Sequence, residues 1–239
     1  MYKRILLKLS GEALKDEQAL QILNVDHFNN LAGVIKELYQ KGIQLAVVIG
    51  AGNIWRGKLA DEIGIERAQA DYMGMMGTVM NAVAMSSALR KAGIDTVVFS
   101  ALPEIPGVTV TYTPDAAVKA MDEGKVIFLA GGTGKPFFTT DTAATMRAIE
   151  TGCEAILMGK NGVDGLYDKD PTKYADAKFI PKITYKEIID KNLQIMDLTA
   201  VELIKDKNLE IRIFSMTDPQ NFIRVAMGET VGSICKKGE

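Results

Sequence analysis

The sequence predicts an α/β fold: a mostly parallel sheet of about eight strands, covered by helices on both faces. Short apolar runs of strand type alternate with longer stretches of helical periodicity. Glycine-rich turns follow several of these runs, where an open parallel sheet presents its ligands. With 239 residues and 47% hydrophobic content the chain can bury a full core, and it reads as one continuous domain over 1–239.

In chain order, the first strand spans 4–9. Lys3 and Arg4 ahead of Ile5, Leu6 and Leu7 imitate a targeting signal, but Lys8 breaks the apolar run and no small-residue cleavage site follows. A helix over 26–41 is terminated by Gly42 and leads to a strand at 44–49. The spacing then predicts a long helix over 66–92, ended by Gly93, and strands at 96–99 and 108–112. Thr113 and a first-turn Pro114 open a helix over 114–123, followed by a strand at 126–129. Thr139, Thr140 and Asp141 are cap candidates for a helix over 141–151, and a strand at 155–158 comes next. Thr184 and Glu187 have capping-box spacing, and Asp197 caps a helix over 198–207. Asp218 with Pro219 opens a last helix between strands at 211–214 and 231–234. The long middle helix carries Met73, Met75, Met76, Met80 and Met85, soft side chains suited to core or subunit packing rather than to sulfur chemistry.

Twenty-eight basic and 30 acidic residues give a net charge of −2 with no long run of one sign, which argues against a nucleic-acid surface. Any anion must therefore be held by local geometry. Cys153 and Cys235 are isolated, lack metal-ligand spacing and suggest a reducing compartment. His27 is the single histidine and is expected near the start of a surface helix, so a Ser-His-Asp triad or a histidine zinc site is not supported. No apolar segment approaches the ~20 residues that span a bilayer. A soluble, cytoplasmic protein without a membrane partner is expected.

The run from Ala130 to Asp141 joins a strand to a helix through a glycine loop. That is the order of a phosphate site, in which glycines admit backbone N–H groups to an anion and the helix start adds partial positive charge. An ordinary strand-to-helix connection is the plainer alternative. The loop is not a P-loop, because Lys135 is followed by Pro136. Gly50, Gly52 and Gly57 do not make a dinucleotide fingerprint, the third glycine falling two positions late. Three more loops follow strands. Lys8, Leu9, Ser10 and Gly11 put a cation at a strand end, or simply a snorkelling edge lysine. The second, Gly50 to Gly57, carries Arg56, whose guanidinium suits bidentate phosphate binding. Within 159–171, Asn161, Tyr167 and Asp170 are placed to read a base and sugar, although turn chemistry explains most of that composition. Asp71, a carboxylate on a mostly apolar helix, needs water or a partner such as a ribose diol. Four such turns with a lysine, an arginine and several carboxylates fit two phosphorylated ligands meeting head to head, a phosphoryl-transfer site.

The motifs Lys8-Leu-Ser-Gly-Glu-Ala-Leu14, Val48-Ile-Gly-Ala-Gly-Asn-Ile-Trp-Arg-Gly57, Asp71-Tyr-Met-Gly-Met75, Gly132-Thr-Gly-Lys-Pro-Phe-Phe-Thr-Thr-Asp141, Val163-Asp-Gly-Leu-Tyr-Asp-Lys-Asp-Pro171 and Met196-Asp-Leu-Thr-Ala200 occur in this order. From end to end the chain thereby resembles the bacterial uridylate kinases, the UMP kinases of the amino-acid-kinase superfamily. The resemblance implies ATP-dependent phosphorylation of UMP to UDP with Mg²⁺, on a three-layer α/β/α sandwich that assembles as a homohexamer. It carries Lys8, Leu9, Ser10, Gly11, Gly52, Arg56, Asn161, Tyr167 and Asp170 over as ATP-binding positions. Ala51, Asp71, Thr133, Gly134, Lys135, Pro136, Phe137, Phe138, Thr139 and Thr140 correspond to UMP-binding positions. Asp141 matches the aspartate that organises the catalytic lysines, and Lys8, Arg56 and Asp141 form the implied catalytic set. The acceptor side then falls mainly in the N-terminal part and the ATP side mainly in the C-terminal part. No carboxylate cage for magnesium is expected, because that ion keeps waters and phosphate oxygens. A catalytic histidine is not needed either: a nucleoside monophosphate has a second pKa of about 6 and is already a dianionic nucleophile at neutral pH.

Three features depart from the family pattern. Ala51 stands where glycine is usual and narrows the backbone choices of its loop. Lys135 replaces a common asparagine and adds a cation beside the acceptor. The segment 16–24 lacks the glycine-containing stretch associated with GTP activation in many members. Weak or absent activation by GTP is expected, and a several-fold rise in rate at subsaturating UMP on adding GTP would overturn this expectation.

Overall fold

A computed structural model describes residues 1–15, 22–193 and 195–238. Of the segment 16–24, on which the GTP expectation rests, residues 16–21 lie outside the described residues.

The first strand, β1 (Arg4–Leu9), sends Ile5, Leu7 and Leu9 to one face of the sheet and Leu6 to the other, all buried. Side chains alternate along a strand, so Lys8 shares the face of Leu6. In α1 (Val25–Gln40) the Asn24 side chain caps the helix by accepting the His27 N–H at 2.9 Å, and His27 is exposed in the first turn. Leu31, Val34, Ile35 and Leu38 make its buried stripe at helical spacing. Then come β2 (Gln44–Ile49), α2 (Lys58–Ile63), α3 (Arg67–Lys91), β3 (Thr96–Ser100), β4 (Val110–Thr111), α4 (Pro114–Asp122), β5 (Val126–Ala130), α5 (Thr140–Glu150) and β6 (Ala155–Lys160). The remainder supplies β7 (Leu166–Tyr167), β8 (Phe179–Ile180), β9 (Lys182–Thr184), α6 (Tyr185–Asp190), α7 (Leu198–Ile204), β10 (Glu210–Ser215), α8 (Gln220–Ala226) and β11 (Ser233–Lys236).

Nine strands form one sheet in the order β4-β3-β5-β2-β1-β6-β10-β11-β9, and β7 pairs with β8 separately. Among the described residues every pairing in the large sheet is parallel except β10 with β11. The count exceeds the expected eight by β9, a three-residue strand that buries only Ile183 and leaves no apolar run to read. At the opposite edge β4 is reduced to two exposed residues within the expected 108–112. The last strand starts at Ser233 instead of 231 because Gly232, at φ 69°, packs its α-carbon against Ile213 so closely that a Cβ would stand 2.0 Å from the carbonyl oxygen. The short helix α2, with Ala60 alone buried, had no periodic stripe to announce it.

One face of the sheet packs against α1, α3 and α8 and the other against α4, α5, α6 and α7, giving three layers. The chain runs from β1 to β2 on one side and returns through β5 and α5 to β6 on the other side of β1. The loops after β1, β2, β5 and β6 therefore open at one edge, around the middle of the sheet. Helix α3 buries Met75 and Met85 in the core, while Tyr72, Met76 and Met80, a turn apart, are 37%, 53% and 55% exposed. Among the described residues no helix is long and apolar enough to cross a membrane.

The loop after β2 is held from below by two buried amides. Asn81 of α3 donates to the Gly50 carbonyl at 2.8 Å and to Asn53 Oδ1 at 2.8 Å, and Asn53 donates back to Asn81 Oδ1 at 3.0 Å. Replacing Asn81 by Ala leaves buried partners unsatisfied, a loss expected to cost about 1–3 kcal/mol. The urea midpoint measures it, and an unchanged midpoint would remove Asn81 from this role.

Candidate active site

Lys8 and Asp141 meet where β1 ends and α5 begins, with Lys8 Nζ 2.7 Å from Asp141 Oδ1 and the side chains 18% and 20% exposed. The register of β1 with β6 sets Lys8 opposite Met158, so Lys160, two residues further along β6, falls on the same face as Lys8. Burial lowers the Lys160 pKa below the usual lysine range; Lys8 pushes the same way and Asp141 opposes it. Its ammonium donates to the Ile195 carbonyl at 3.4 Å. Two cations, one carboxylate and the start of α5, with its partial positive charge, thus converge on one point, an arrangement that favours a polyanion. Sequence reasoning missed Lys160. A lysine at the end of an interior strand is the pattern that points to Lys8 and it holds equally for Lys160, but Gly159 breaks the apolar run and places Lys160 in the loop on sequence grounds.

Around this point the loops touch at backbone distances. Gly11 follows β1, and a Cβ on it would stand 2.3 Å from the Gly50 carbonyl oxygen, 2.6 Å from Asn53 Oδ1 and 2.8 Å from Gly52 N. Only a residue without a side chain fits there. Leu9 is buried in the core and contributes its carbonyl, which accepts the Gly50 N–H at 2.9 Å, while Ser10 precedes a short turn of 3-10 helix over Gly11–Leu14. Arg56 pairs with Glu12 at 2.9 Å with both side chains about half exposed, a weak pair that leaves the guanidinium open to exchange partners. Ala51 is buried over Gly77 of α3, and it is not among the described non-glycine residues at positive φ, which are Phe137 and Asn192. The methyl group in place of the usual glycine is thus accommodated without left-handed strain.

The glycine loop after β5 is built differently from a simple anion cradle. Several of its N–H groups are committed: Gly131 N to Thr78 Oγ1 at 2.9 Å, Gly134 N to the Gly131 carbonyl at 3.0 Å, Lys135 N to Thr133 Oγ1 at 3.2 Å and Phe137 N to Asp71 Oδ2 at 2.7 Å. Gly131 and Gly134 have φ of 77° and 78°, and a Cβ on either would lie within 3 Å of backbone at 101–102. The glycines here serve conformation and close packing. Phe137 takes φ 71°, a left-handed conformation a bulky residue seldom adopts, and Phe137 and Phe138 are 68% and 46% exposed. Pro136 stands between them and the exposed Lys135. Asp71 also pairs with Arg67 at 3.0 Å.

At the end of the loop Thr139 caps α5, its Oγ1 accepting from Asp141 N and Thr142 N at 3.1 Å each. Thr139 donates in turn to Asp197, the cap of α7, which also accepts from Thr142 Oγ1 at 2.9 Å. Asp197 therefore joins the starts of two helices, a role its spacing as a cap could not reveal. Thr140, the first residue of α5, lies beside Gly50, since a Cβ on that glycine would stand 3.9 Å from Thr140 Oγ1.

Tyr167 and Asp170 line a cavity of about 460 Å³ together with Lys160, Val163, Leu166 and Leu193. That is the size of an ordinary small-ligand site. Tyr167 donates to Asp164 at 2.7 Å and stacks edge-on with Phe179, while Asp170 accepts from Thr172 at 2.7 and 2.9 Å in a local turn. Asn161, next to Lys160, is exposed and lines a cavity with Glu12, His27 and Thr217.

The sequence model of the Amino acid kinase family matches residues 3–215. A uridylate kinase of Mycoplasma capricolum subsp. capricolum is 52% identical over 225 residues, covering 94% of each chain. Among solved structures, the UMP kinase from Bacillus anthracis superposes with a TM-score of 0.95 at 36% identity, covering 100% of this chain and 97% of that one. The UMP kinase from Ureaplasma parvum gives 0.92 at 36% identity, covering 99% of this chain and 100% of its own. A cation cluster at the central strand ends, a cavity of about 460 Å³ on one side and a tethered loop on the other stand in a chain that belongs to the amino acid kinase family, within its uridylate kinases.

Proposed function

We propose that this protein transfers the γ-phosphoryl group of MgATP to UMP, yielding UDP and ADP. The carrying observation is the Lys8–Asp141–Lys160 cluster, which lies between the Tyr167 and Asp170 cavity and the Asp71-tethered loop. ATP occupies the cavity side, with Tyr167 and Asp170 at the base and sugar and with Lys8, Leu9, Ser10, Gly11, Gly52 and Arg56 around the phosphates. UMP occupies the loop side against Ala51, Asp71 and Thr133 to Thr140. A UMP phosphate oxygen attacks the γ-phosphorus as the bond to the β,γ-bridging oxygen breaks, so no protein group need remove a proton. Lys8 and Lys160 stabilise charge on the transferring group, and Asp141 holds the Lys8 ammonium.

Among the described residues there is no group of three His, Cys, Asp or Glu side chains able to hold a metal. Asp141, the carboxylate at the transfer point, is paired with Lys8, a donor set that suits magnesium arriving on the ATP phosphates. When bound with ATP, that ion would supply neutralisation of phosphate charge, and Lys8 would add to it. The single-domain organisation, with the acceptor side mainly N-terminal and the ATP side mainly C-terminal, belongs to the same reading, as does a cytoplasmic location.

ATP consumption measured in parallel with UMP, CMP, dUMP and carbamate tests the assignment. Turnover on UMP alone is expected; turnover on carbamate would move the chain to another branch of the family, and nucleotide binding without turnover would make it a non-catalytic assembly. Lys160→Met is expected to lower turnover by a factor on the order of 10² to 10³ while raising Tm, because it removes a desolvated charge. The folded-state pKa of Lys160 lies below its unfolded value of about 10.4. Between the two the unfolded chain binds more protons, so the parent protein should gain stability relative to the variant as pH rises through that window. A variant that keeps full turnover would remove Lys160 from the transfer step.

We also propose a homohexamer, supported by the exposed Tyr72, Met76 and Met80 stripe on α3, an apolar face of the kind subunits cover. Sedimentation of Met76→Lys with Met80→Lys is expected to show a smaller species than the parent; an unaltered species would place the interface elsewhere.

A further inference from the structure

The loop between β5 and α5 leaves the sheet through Gly131 and Gly132, consecutive residues with φ of 77° and 58°. Two adjacent glycines are the most freely swinging unit a chain can contain, so whatever holds them decides where the following residues stand. Both sides of the unit are held by buried side chains from different layers. From α3, Thr78 Oγ1 accepts the Gly131 N–H at 2.9 Å and donates to the Met75 carbonyl at 2.6 Å, leaving Thr78 7% exposed. From α5, on the other face of the sheet, Arg147 Nη2 donates to the Gly132 carbonyl at 3.3 Å.

Arg147 is an unusual residue to bury, with its side chain 7% exposed. Its charge is balanced by Glu150 at 2.6 Å, and its guanidinium lies 3.9 Å from the centre of the Tyr112 ring, whose hydroxyl donates to the same Glu150 oxygen at 2.6 Å. Glu150 and Tyr112 together account for keeping a cation in place. They do not account for the remaining contact, which is directed at one carbonyl of the loop. Beyond that carbonyl lie Thr133 to Thr140, with Phe137 N on Asp71 and Thr139 capping α5 beside Asp141.

We infer that Thr78 and Arg147 are positioning residues for the phosphoryl acceptor, clamping the Gly131–Gly132 unit from opposite faces of the sheet so that the loop presents the acceptor to Lys8 and Lys160. The inference rests on the UMP reading. It locates acceptor affinity in two side chains that do not touch the acceptor, one in each helical layer.

Steady-state kinetics varying UMP and ATP separately test it. Thr78→Val and Arg147→Met are each expected to raise the KM for UMP at least about tenfold, the scale of a lost buried hydrogen bond to a charged or fully committed partner, with the KM for ATP changed less than about twofold on the same scale. Arg147→Lys, which keeps one donor, should recover part of the loss. Tyr112→Phe disturbs the same cluster without touching the loop and should leave both constants within about twofold, below the size of one such bond. The clamp is overturned if Thr78→Val leaves the KM for UMP unaltered, if the KM for ATP rises in step, or if Tyr112→Phe reproduces the effect. Thr78→Val is nearly isosteric and decides the matter even where Arg147→Met does not fold. A parent protein inactive on UMP would overturn the acceptor reading and the clamp with it, and is distinguished from failure of the clamp alone by the parent rate in the same assay.

Discussion

Everything at the ligand edge depends on the parallel register between β1 and β6. Lys8 opposite Met158 puts Lys160 on the same face of the sheet, the face covered by α5. Side-chain direction has a period of two, so a slip of one residue would send one of the lysines to the α1 and α3 face. The slip is resisted because Ile5, Leu7 and Leu9 would exchange places with Leu6 and Lys8, burying an ammonium in the larger core cluster. The apolar core thereby sets the distance between two charges that contribute nothing to it.

Concentrating those charges has a cost that the surroundings offset. Lys160 sits where burial and Lys8 both disfavour its charged form, and Asp141 is the group that opposes them. Asp141 is in turn placed by the Thr139 cap and, through Thr139, by Asp197 on α7. Phe137 adds backbone strain of about 1–3 kcal/mol, the usual cost of a left-handed bulky residue. Its N–H bond to Asp71 holds it in that state. Such an arrangement persists only because neighbouring elements over-determine it: Gly11 wedged against Gly50, the Asn53–Asn81 pair beneath, and the two-sided hold on Gly131 and Gly132. Polar groups near this edge mostly satisfy one another, which suits a surface that must stay rigid while its ligands carry the charge.

Most of the architecture was legible from local pattern. Strands β1 and β2 have the bounds the apolar runs indicate, and α1, α3 and α4 differ from expectation by about a residue at either end, the margin to which helix ends are defined. What escaped had little local signal: β9 buries one side chain, α2 buries one alanine, and β7 and β8 are two residues each. Within the site, Lys8, Asp141, Asp71 and the glycine turns stood out because their residue types are unusual for their positions. Lys160 did not, because a glycine hid the end of its strand. Asn53, Asn81, Thr78 and Arg147 did not, because an amide, a hydroxyl or a guanidinium inside a helix or loop has no pattern until its partner is known.

The sequence by itself therefore determined which segments become strands and helices, which loops lie at strand ends, and the family to which their order belongs, since these follow from periodicity, capping and turn chemistry within a few residues of each position. Tertiary structure alone decided that Asn161 lines a cavity with Glu12 and Thr217, that the glycine loop ties Gly131 N to Thr78 and Phe137 N to Asp71, and that Lys160 falls on the same face of the sheet as Lys8. Those facts depend on strand order, register and pairings between residues as far as 150 positions apart, as with Lys8 and Met158. No local rule contains that information.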